Sequence, residues 1–420
     1  MRVLWTCNLI PTEMLSALGK GREVMGGWIE SMLAALKKSD RDIEIAVACK
    51  CDAGEVFCEE VNGTRYYSLA KTGTSCSEHY ARCLEIIDSF SPELIQIEGT
   101  EFIHAKAMLS AAESRGIPAI VSLQGILNGQ YAYQCGQLQT EELMLSASPS
   151  SFLAGWGMFL RKTRWFRPRL AAEREVIGRA RYILGRTTWD SAHAYALNPE
   201  AKYYSCPRVL REPFYGSEWR LDKIERHSIY TGSGYTALKG LHWLVQALPQ
   251  LKREYPDIKV YVAGYDPYPE KNRRSPLKQG YALYLRKLMN DLGVRENIVF
   301  TGTIPAEEVA RRLERAHAYV LTSAIENSPN TLGEAMTVGT PCVTAYVGGV
   351  PDMASDGKEA LFFRNDDPAL LAYAVKRIFD DDALAEELSA NARARARLTH
   401  SPENNARLLL AVYDDVLSER

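Results

Sequence analysis

The stretch A-Y-V-L-T-S-A-I-E-N-S-P-N-T-L-G-E-A-M-T-V-G-T-P-C-V-T-A-Y, residues 318–346, reads as strand, helix, strand. Apolar runs at 318–323 and 342–346 flank a segment with helix signals at both ends. Ser328 suits an N-cap and Pro329 the first helical position, while Gly339 and Pro341 close the element. Two strands joined by one helix are a parallel crossover unit. The first turn of such a helix offers unpaired backbone N–H groups and the positive end of its dipole, a ready anion site. Glu326 stands just before that turn, and Glu334 about 9 Å along the axis at ~1.5 Å per residue. Two acceptor-only carboxylates astride an anion site suit a ligand with hydroxyls on both sides of a phosphate, as in a nucleotide-sugar. A capped core helix with two solvated acids reads the same spacing equally well.

The strand–helix alternation extends along the whole chain. Further strands are expected at 3–8, 43–48, 94–99, 119–125 and 182–187, and again at 228–232, 259–264 and 297–302. Met25, Trp28, Ile29, Met32, Leu33 and Leu36 mark one helical face between the first two. The segment 55–69 departs from this theme, with an N-G turn that predicts a small hairpin. At 420 residues the chain exceeds one ordinary core, so two doubly wound α/β domains are expected. The alternation breaks between 205 and 226, at C-P-R-V-L-R-E-P-F-Y-G-S-E-W, which sets the domains at 1–210 and 211–400. A last helical stretch at 403–418 follows a second domain that already looks complete, so residues 401–420 are expected to pack elsewhere. Ligands of such sheets bind beyond the carboxyl ends of the strands, and a cleft between two facing sheets is the expected site.

Composition narrows the function classes. A net charge of −2 gives no global basic field for nucleic acid. Nine cysteines include no C-x-x-C pair, and no histidine stands at zinc-finger spacing, so free thiols in a reducing cytoplasm are expected. No run approaches the ~20 apolar residues of a spanning helix, and the start lacks a signal-peptide pattern. A cytoplasmic protein is expected, with one candidate membrane contact. Residues 155–170, G-W-G-M-F-L-R-K-T-R-W-F-R-P-R-L, carry five basic residues and no acid among four aromatics, which suits an anionic membrane interface. Pro168 is expected to limit any continuous helix there. A helix packed on its own domain with a basic outer face accounts for the same stretch.

Other residues gather at predicted strand ends. Gly26 and Gly27 precede the first amphipathic helix, where glycines let a phosphate approach the helix start; a packing turn is the plainer reading. Lys239, in T-G-S-G-Y-T-A-L-K-G-L, begins the first helix of the second domain. The dipole disfavours a lysine there unless an anion sits nearby. In the first domain Glu101, His104 and Gln124 follow strands directly and suit hydroxyls or an acceptor, and Arg186 ends another strand. A helix cap at Thr100 and a surface ion pair for Arg186 are the competing readings. No D-x-D ends a predicted strand with an open loop beyond it, so neither a metal nor a cofactor is expected.

Taken together, these motifs resemble the retaining glycosyltransferases of family four, which have the GT-B fold. The resemblance rests on E-x7-E at 326–334, Y-V-G-G-V-P-D-M at 346–353, L-K-G-L-H, N-I-V-F-T-G-T-I-P, G-T-E-F-I-H, S-L-Q-G and G-R-T-T-W-D. It covers nearly the whole chain and points to a bacterial polysaccharide-assembly subgroup. It implies two facing Rossmann-like domains, with the C-terminal helix crossing back to the first. It also implies that Glu326 binds the donor sugar and Glu334 the ribose, and that amides around Ser328, Asn330, Thr331 and Leu332 hold the diphosphate with Lys239 and the Gly26-Gly27 loop. Thr303 and Ile304 would border the base. The implied catalytic set is Glu326, Lys239 and Gln124. The implied partners are a nucleotide diphosphate sugar and a glycan or lipid-linked acceptor, as in capsular or exopolysaccharide synthesis. Two departures stand out: Gly234 where many relatives carry an arginine, and Gln124 where many carry a histidine. A GT-B nucleotide-sugar epimerase and a donor-binding protein without transfer activity are the alternatives.

Overall fold

A computed structural model of the chain describes residues 1–18, 27–49, 57–70, 75–138, 149–232, 234, 236–264, 266–267 and 280–419, without the side chains of 149–163 and 280. The chain divides into two compact units. One comprises Met1–Gly129, Pro168–Leu210 and His400–Arg420; the other comprises Gln130–Arg167 and Arg211–Thr399. Gln130–Arg167, inside the 1–210 span, thus groups with the second unit.

The described strands of the first unit are β1 (Arg2–Cys7), β2 (Glu44–Cys49), β3 (Cys58–Val61), β4 (Thr64–Ser68), β5 (Leu94–Glu98), β6 (Ala119–Ser122), β7 (Tyr182–Gly185) and β8 (Lys202–Ser205). They form one sheet in the order β3-β4-β2-β1-β5-β6-β7-β8. Every pairing is parallel except β3 with β4, the hairpin expected at 55–69. Asn62 and Gly63 both have positive φ, +50° and +70°, as a two-residue turn twisted to match its strands requires. The sheet is covered on both faces, and β1 shows how. Val3, Trp5 and Cys7 enter one apolar core, while Leu4 enters the other.

The C-terminal helix Pro402–Ser418 belongs to this first unit, as the fold reading expected. Its Tyr413 is fully buried. The Tyr413 hydroxyl accepts from Trp5 Nε1 at 2.9 Å and donates to Gln96 Oε1 at 2.6 Å, fastening the helix to β1 and β5.

The second unit carries β9 (Glu225–Thr231), β10 (Lys259–Ala263), β11 (Ile298–Gly302), β12 (Ala316–Leu321), β13 (Cys342–Ala345) and β14 (Leu361–Phe363). They pair in parallel in the order β11-β10-β9-β12-β13-β14. The chain builds outward from β9 on one side, then returns to lay β12 on the other. The switch point therefore lies between β9 and β12, where ligands of open α/β sheets bind.

Three local expectations need correction. The helix over 330–338 begins at Asn330 with Pro329 at the cap position, so Ser328 is not its N-cap. Pro329 has extended geometry and no side-chain acceptor, and the Ser328 hydroxyl turns toward Met353 Sδ at 3.8 Å. Lys239 does not begin a helix either: it ends a 3-10 turn, Ala237–Lys239, and the helix Leu241–Glu254 starts after Gly240, in the left-handed region. The helix Pro149–Arg179 runs through Pro168. A proline removes one backbone hydrogen bond from a helix, and a 31-residue element retains the others.

Candidate active site

The switch point of the second sheet gathers most of the residues singled out from sequence. The segment after β12 is pinned to the turn after β9: Ala324 N–H donates to Leu238 O at 2.8 Å, and Thr322 Oγ1 to Lys239 O at 2.9 Å. These bonds set Lys239 and Glu326 face to face, Nζ to Oε1 at 2.6 Å. Ser323 Oγ donates to the same carboxylate oxygen at 2.7 Å. The glutamate side chain is only 12% exposed but the lysine 38%, so the pair has a wet, cationic side.

Beside this pair the helix Asn330–Val338 begins. Leu332 and Gly333 donate to Pro329 O at 3.0 and 3.2 Å, which leaves the N–H groups of Asn330 and Thr331 without intrahelical acceptors. Thr331 is exposed, and its Oγ1 accepts from Tyr319 OH at 2.9 Å. Gly232, which directly follows β9, lies against Thr331, where an added Cβ would come within 3.7 Å of its hydroxyl. Leu332 is buried and anchors the turn in the core. The arrangement pairs a cation with a cluster of N–H donors at a helix start, the chemistry of an anion site.

Glu334 lies deeper, 3% exposed, and is gripped by Arg211 in a two-pronged contact: Nε to Oε1 at 2.8 Å and Nη2 to Oε2 at 2.9 Å. Burial pushes its carboxyl pKa up, and the Arg211 guanidinium opposes that shift. Sequence reading missed Arg211. It sits 123 residues from its partner in the stretch that breaks the strand–helix pattern, and no local periodicity signals it. Thr303 is exposed and Ile304 half-buried, directly after β11.

The remaining candidates belong to the first unit. Gly27 opens the helix Gly27–Lys37, and Gly26 lies outside the described residues. Gln124 and Glu101 meet around Gly99, whose added Cβ would come within 3.4 Å of Glu101 and 3.8 Å of Gln124. Burial raises the Glu101 pKa, opposed by backbone N–H donors. His104 is buried one turn on, stacked on Phe102. Thr100 does not cap the helix Ile103–Arg115, whose cap position is Phe102; its hydroxyl donates to the buried Glu173 at 3.0 Å. Arg186 makes no surface pair: its Nη2 donates to Gln124 O at 2.7 Å. Arg186 also lines a cavity of about 30 Å³ with Trp5, Trp28, Glu98 and Arg208, room for about one water molecule. Burial lowers the pKa of both arginines and raises that of Glu98.

Residues 219–395 match the family model of the glycosyl transferases group 1. The match starts just past Arg211 and spans Lys239, Glu326 and Glu334. The D-inositol 3-phosphate glycosyltransferase of Acidothermus cellulolyticus is 34% identical over 136 residues, 32% of this chain and 30% of that protein. The matches span less than half the length of the first curated relatives. Across the whole chain the likeness is one of fold. Sucrose-phosphate synthase from Thermosynechococcus elongatus aligns over 100% of both chains with a TM-score of 0.74 at 16% identity. Anabaena HepE, solved in complex with UDP-glucose, aligns over 99% of this chain and 100% of that one, with a TM-score of 0.68 at 14% identity. The fold is GT-B: two Rossmann-like α/β units, each on a largely parallel sheet. Among the described residues, no helix is long and apolar enough to cross a membrane.

Proposed function

We propose that the protein is a retaining glycosyltransferase of family four that moves a sugar from a nucleotide-sugar to a glycan or lipid-linked acceptor in polysaccharide assembly. The observation that carries this reading is the Lys239–Glu326 pair beside the open start of the helix Asn330–Val338, at the switch point of a group 1 domain. The reaction expels a nucleoside diphosphate, and the departing charge needs donors already in place. First-turn N–H groups at Asn330 and Thr331 and the Lys239 ammonium supply them without calling for a metal.

In the ligand-free protein Lys239 and Glu326 satisfy each other. On donor binding the lysine turns to the diphosphate, and Glu326 accepts from hydroxyls of the sugar. Glu334 accepts from the ribose, and Thr303 and Ile304 border the base. Attack comes from the face the diphosphate leaves, and a leaving-group phosphate oxygen takes the acceptor proton. That route retains the anomeric configuration with no carboxylate nucleophile. Gln124, Glu101 and Arg186 serve the acceptor from the first unit. Exposed Arg164, Trp165 and Arg167 extend the proposal to peripheral contact with anionic membrane. Salt-sensitive flotation with anionic liposomes supports that contact, and none removes it.

Thermal-shift titration against UDP-, GDP-, ADP- and dTDP-sugars tests the donor. A bound donor at 100 times its dissociation constant adds about 2.7 kcal/mol. NMR of the product formed from the stabilising donor then reports the anomeric configuration. Stabilisation by no member of the panel, or an inverted product, overturns the reading.

A further inference from the structure

The first unit holds a polar cluster of its own, at the carboxyl ends of four adjacent strands, where ligands of parallel sheets bind. Glu98 ends β5, Ser122 ends β6, Arg186 follows β7 and Arg208 lies three residues past β8. Together with Trp5 and Trp28 they line the cavity of about 30 Å³. Among the described residues, three buried polar atoms of this lining have no hydrogen-bond partner: Glu98 Oε2, Arg186 Nε and Arg208 Nη2. Such atoms are costly to bury unless a ligand or water answers them.

A chain of bonds that runs in one direction holds Glu98. Trp5 Nε1, a donor only, donates to the Tyr413 hydroxyl at 2.9 Å, so that hydroxyl donates to Gln96 Oε1 at 2.6 Å. Gln96 therefore presents its amide N–H to Glu98 Oε1, at 2.6 Å, and leaves Oε2 as the acceptor of the cluster. Burial pushes the Glu98 carboxyl pKa up, and the Arg208 charge leads the effects that oppose it. Arg208 is held against Trp28, its guanidinium carbon 3.4 Å from the ring centroid, and Arg186 by its bond to Gln124 O. The carboxylates of Glu98 and Asp190 act on both guanidiniums and balance their charge, which leaves no net field to draw an anion.

We propose that this cavity is an acceptor subsite that takes one hydroxyl of a neutral, polyhydroxylated acceptor, with Glu98 accepting and Arg186 and Arg208 donating. The inference rests on the reading that the first unit binds the acceptor, and adds how it does so. A hydroxyl has one proton to give and two lone pairs, the complement of one acceptor and two donors. A cavity of one-water size admits that oxygen and excludes a sugar ring, so the rest of the acceptor stays outside it. An acceptor without the hydroxyl leaves the three atoms unanswered, the condition under which polar sites discriminate strongly. A water molecule is the rival occupant, and it would not distinguish one acceptor from another.

The test measures transfer from the nucleotide-sugar that stabilises the protein to the methyl glycosides of glucose, galactose, mannose, N-acetylglucosamine and glucuronic acid. The product linkage identifies the attacking hydroxyl of the best acceptor, and monodeoxy analogues at its other positions follow. One of these analogues is expected to lose at least ~100-fold in kcat/KM with wild type. Arg208→Met should bring the parent glycoside and that analogue within about threefold of each other, while the donor dissociation constant by calorimetry stays within about twofold of wild type. In Glu98→Gln the bond to Gln96 turns the new amide N–H toward the cavity, so the same discrimination collapses; this variant decides if Arg208→Met gives no cooperative unfolding transition. Monodeoxy analogues that all match the parent assign the cavity to water and overturn the inference. Retained discrimination in a folded variant overturns it too, and preference for the glucuronide assigns the cluster to an anion instead. Transfer to no member of the panel overturns the inference together with the acceptor reading, and donor binding then leaves the donor reading standing.

Discussion

Gly348→Ala tests whether the backbone around Glu326 is as tightly built as it looks. Gly348 lies at φ +50°, and an added Cβ would stand 1.9 Å from the Glu326 carbonyl oxygen. That oxygen also accepts the Gly349 N–H at 3.0 Å. The substitution therefore carries two costs. Placing alanine in the left-handed region costs roughly 1–2 kcal/mol. The contact adds a second cost, because the two backbones must separate by about 1 Å or more. A displacement of that size can cost ~100-fold in rate. Gly357→Ala separates the costs, since Gly357 has φ +72° and nothing within 4 Å of an added Cβ. By differential scanning calorimetry, Gly357→Ala should lower the melting temperature by roughly 2–8 °C at ~2–4 °C per kcal/mol, with donor turnover unchanged. Gly348→Ala should lower it further and reduce turnover about 100-fold. Equal effects of the two substitutions on both readouts would refute the claim that Gly348 positions Glu326.

Three other predictions probe different parts of the protein. Lys239→Met and Glu326→Gln should each reduce donor turnover by ~100-fold, as loss of one preorganised charge donor or acceptor commonly does; wild-type turnover in either removes that residue from the site. Burial brings His242 down to about 4, opposed by its bond to the Gly136 carbonyl. The unfolded chain then binds the extra proton between about pH 6.5 and 4, so stability falls as pH drops through that window. At ~1.4 kcal/mol per unit the full effect is about 3 kcal/mol. Urea unfolding at pH 7 and 4.5 should show a shallower acid loss in His242→Gln; an unaltered loss contradicts the assignment. Tyr413→Phe removes two buried hydrogen bonds, to Trp5 and Gln96, and should cost roughly 2 kcal/mol in the same assay.

Much of this was legible in the sequence because the relevant physics is local. Apolar runs of strand length alternating with helical faces announce parallel sheets, and an N-G pair announces its hairpin. The E-x7-E spacing locates a helix start together with both carboxylates. β8 and β14 were missed because four- and three-residue strands hardly exceed the period that would reveal them. Ser328 misled because two adjacent residues, serine and proline, compete for the cap, and only backbone geometry decides. The helix through Pro168 misled because a proline removes one backbone hydrogen bond, and a 31-residue element retains the others. Arg211 and Arg208 were illegible for a different reason. Their partners, Glu334 and the ring of Trp28, lie far away in the chain, and only the folded units bring them together.

The claim at the centre of this account is that the start of the helix at Asn330 holds the donor diphosphate. A crystal structure with the nucleotide-sugar that most stabilises the protein tests it directly. The prediction is a diphosphate on the N–H groups of Asn330 and Thr331, with the Lys239 ammonium moved from Glu326 to a phosphate oxygen. A nucleotide bound elsewhere, with the 2.6 Å Lys239–Glu326 pair still intact, would contradict it.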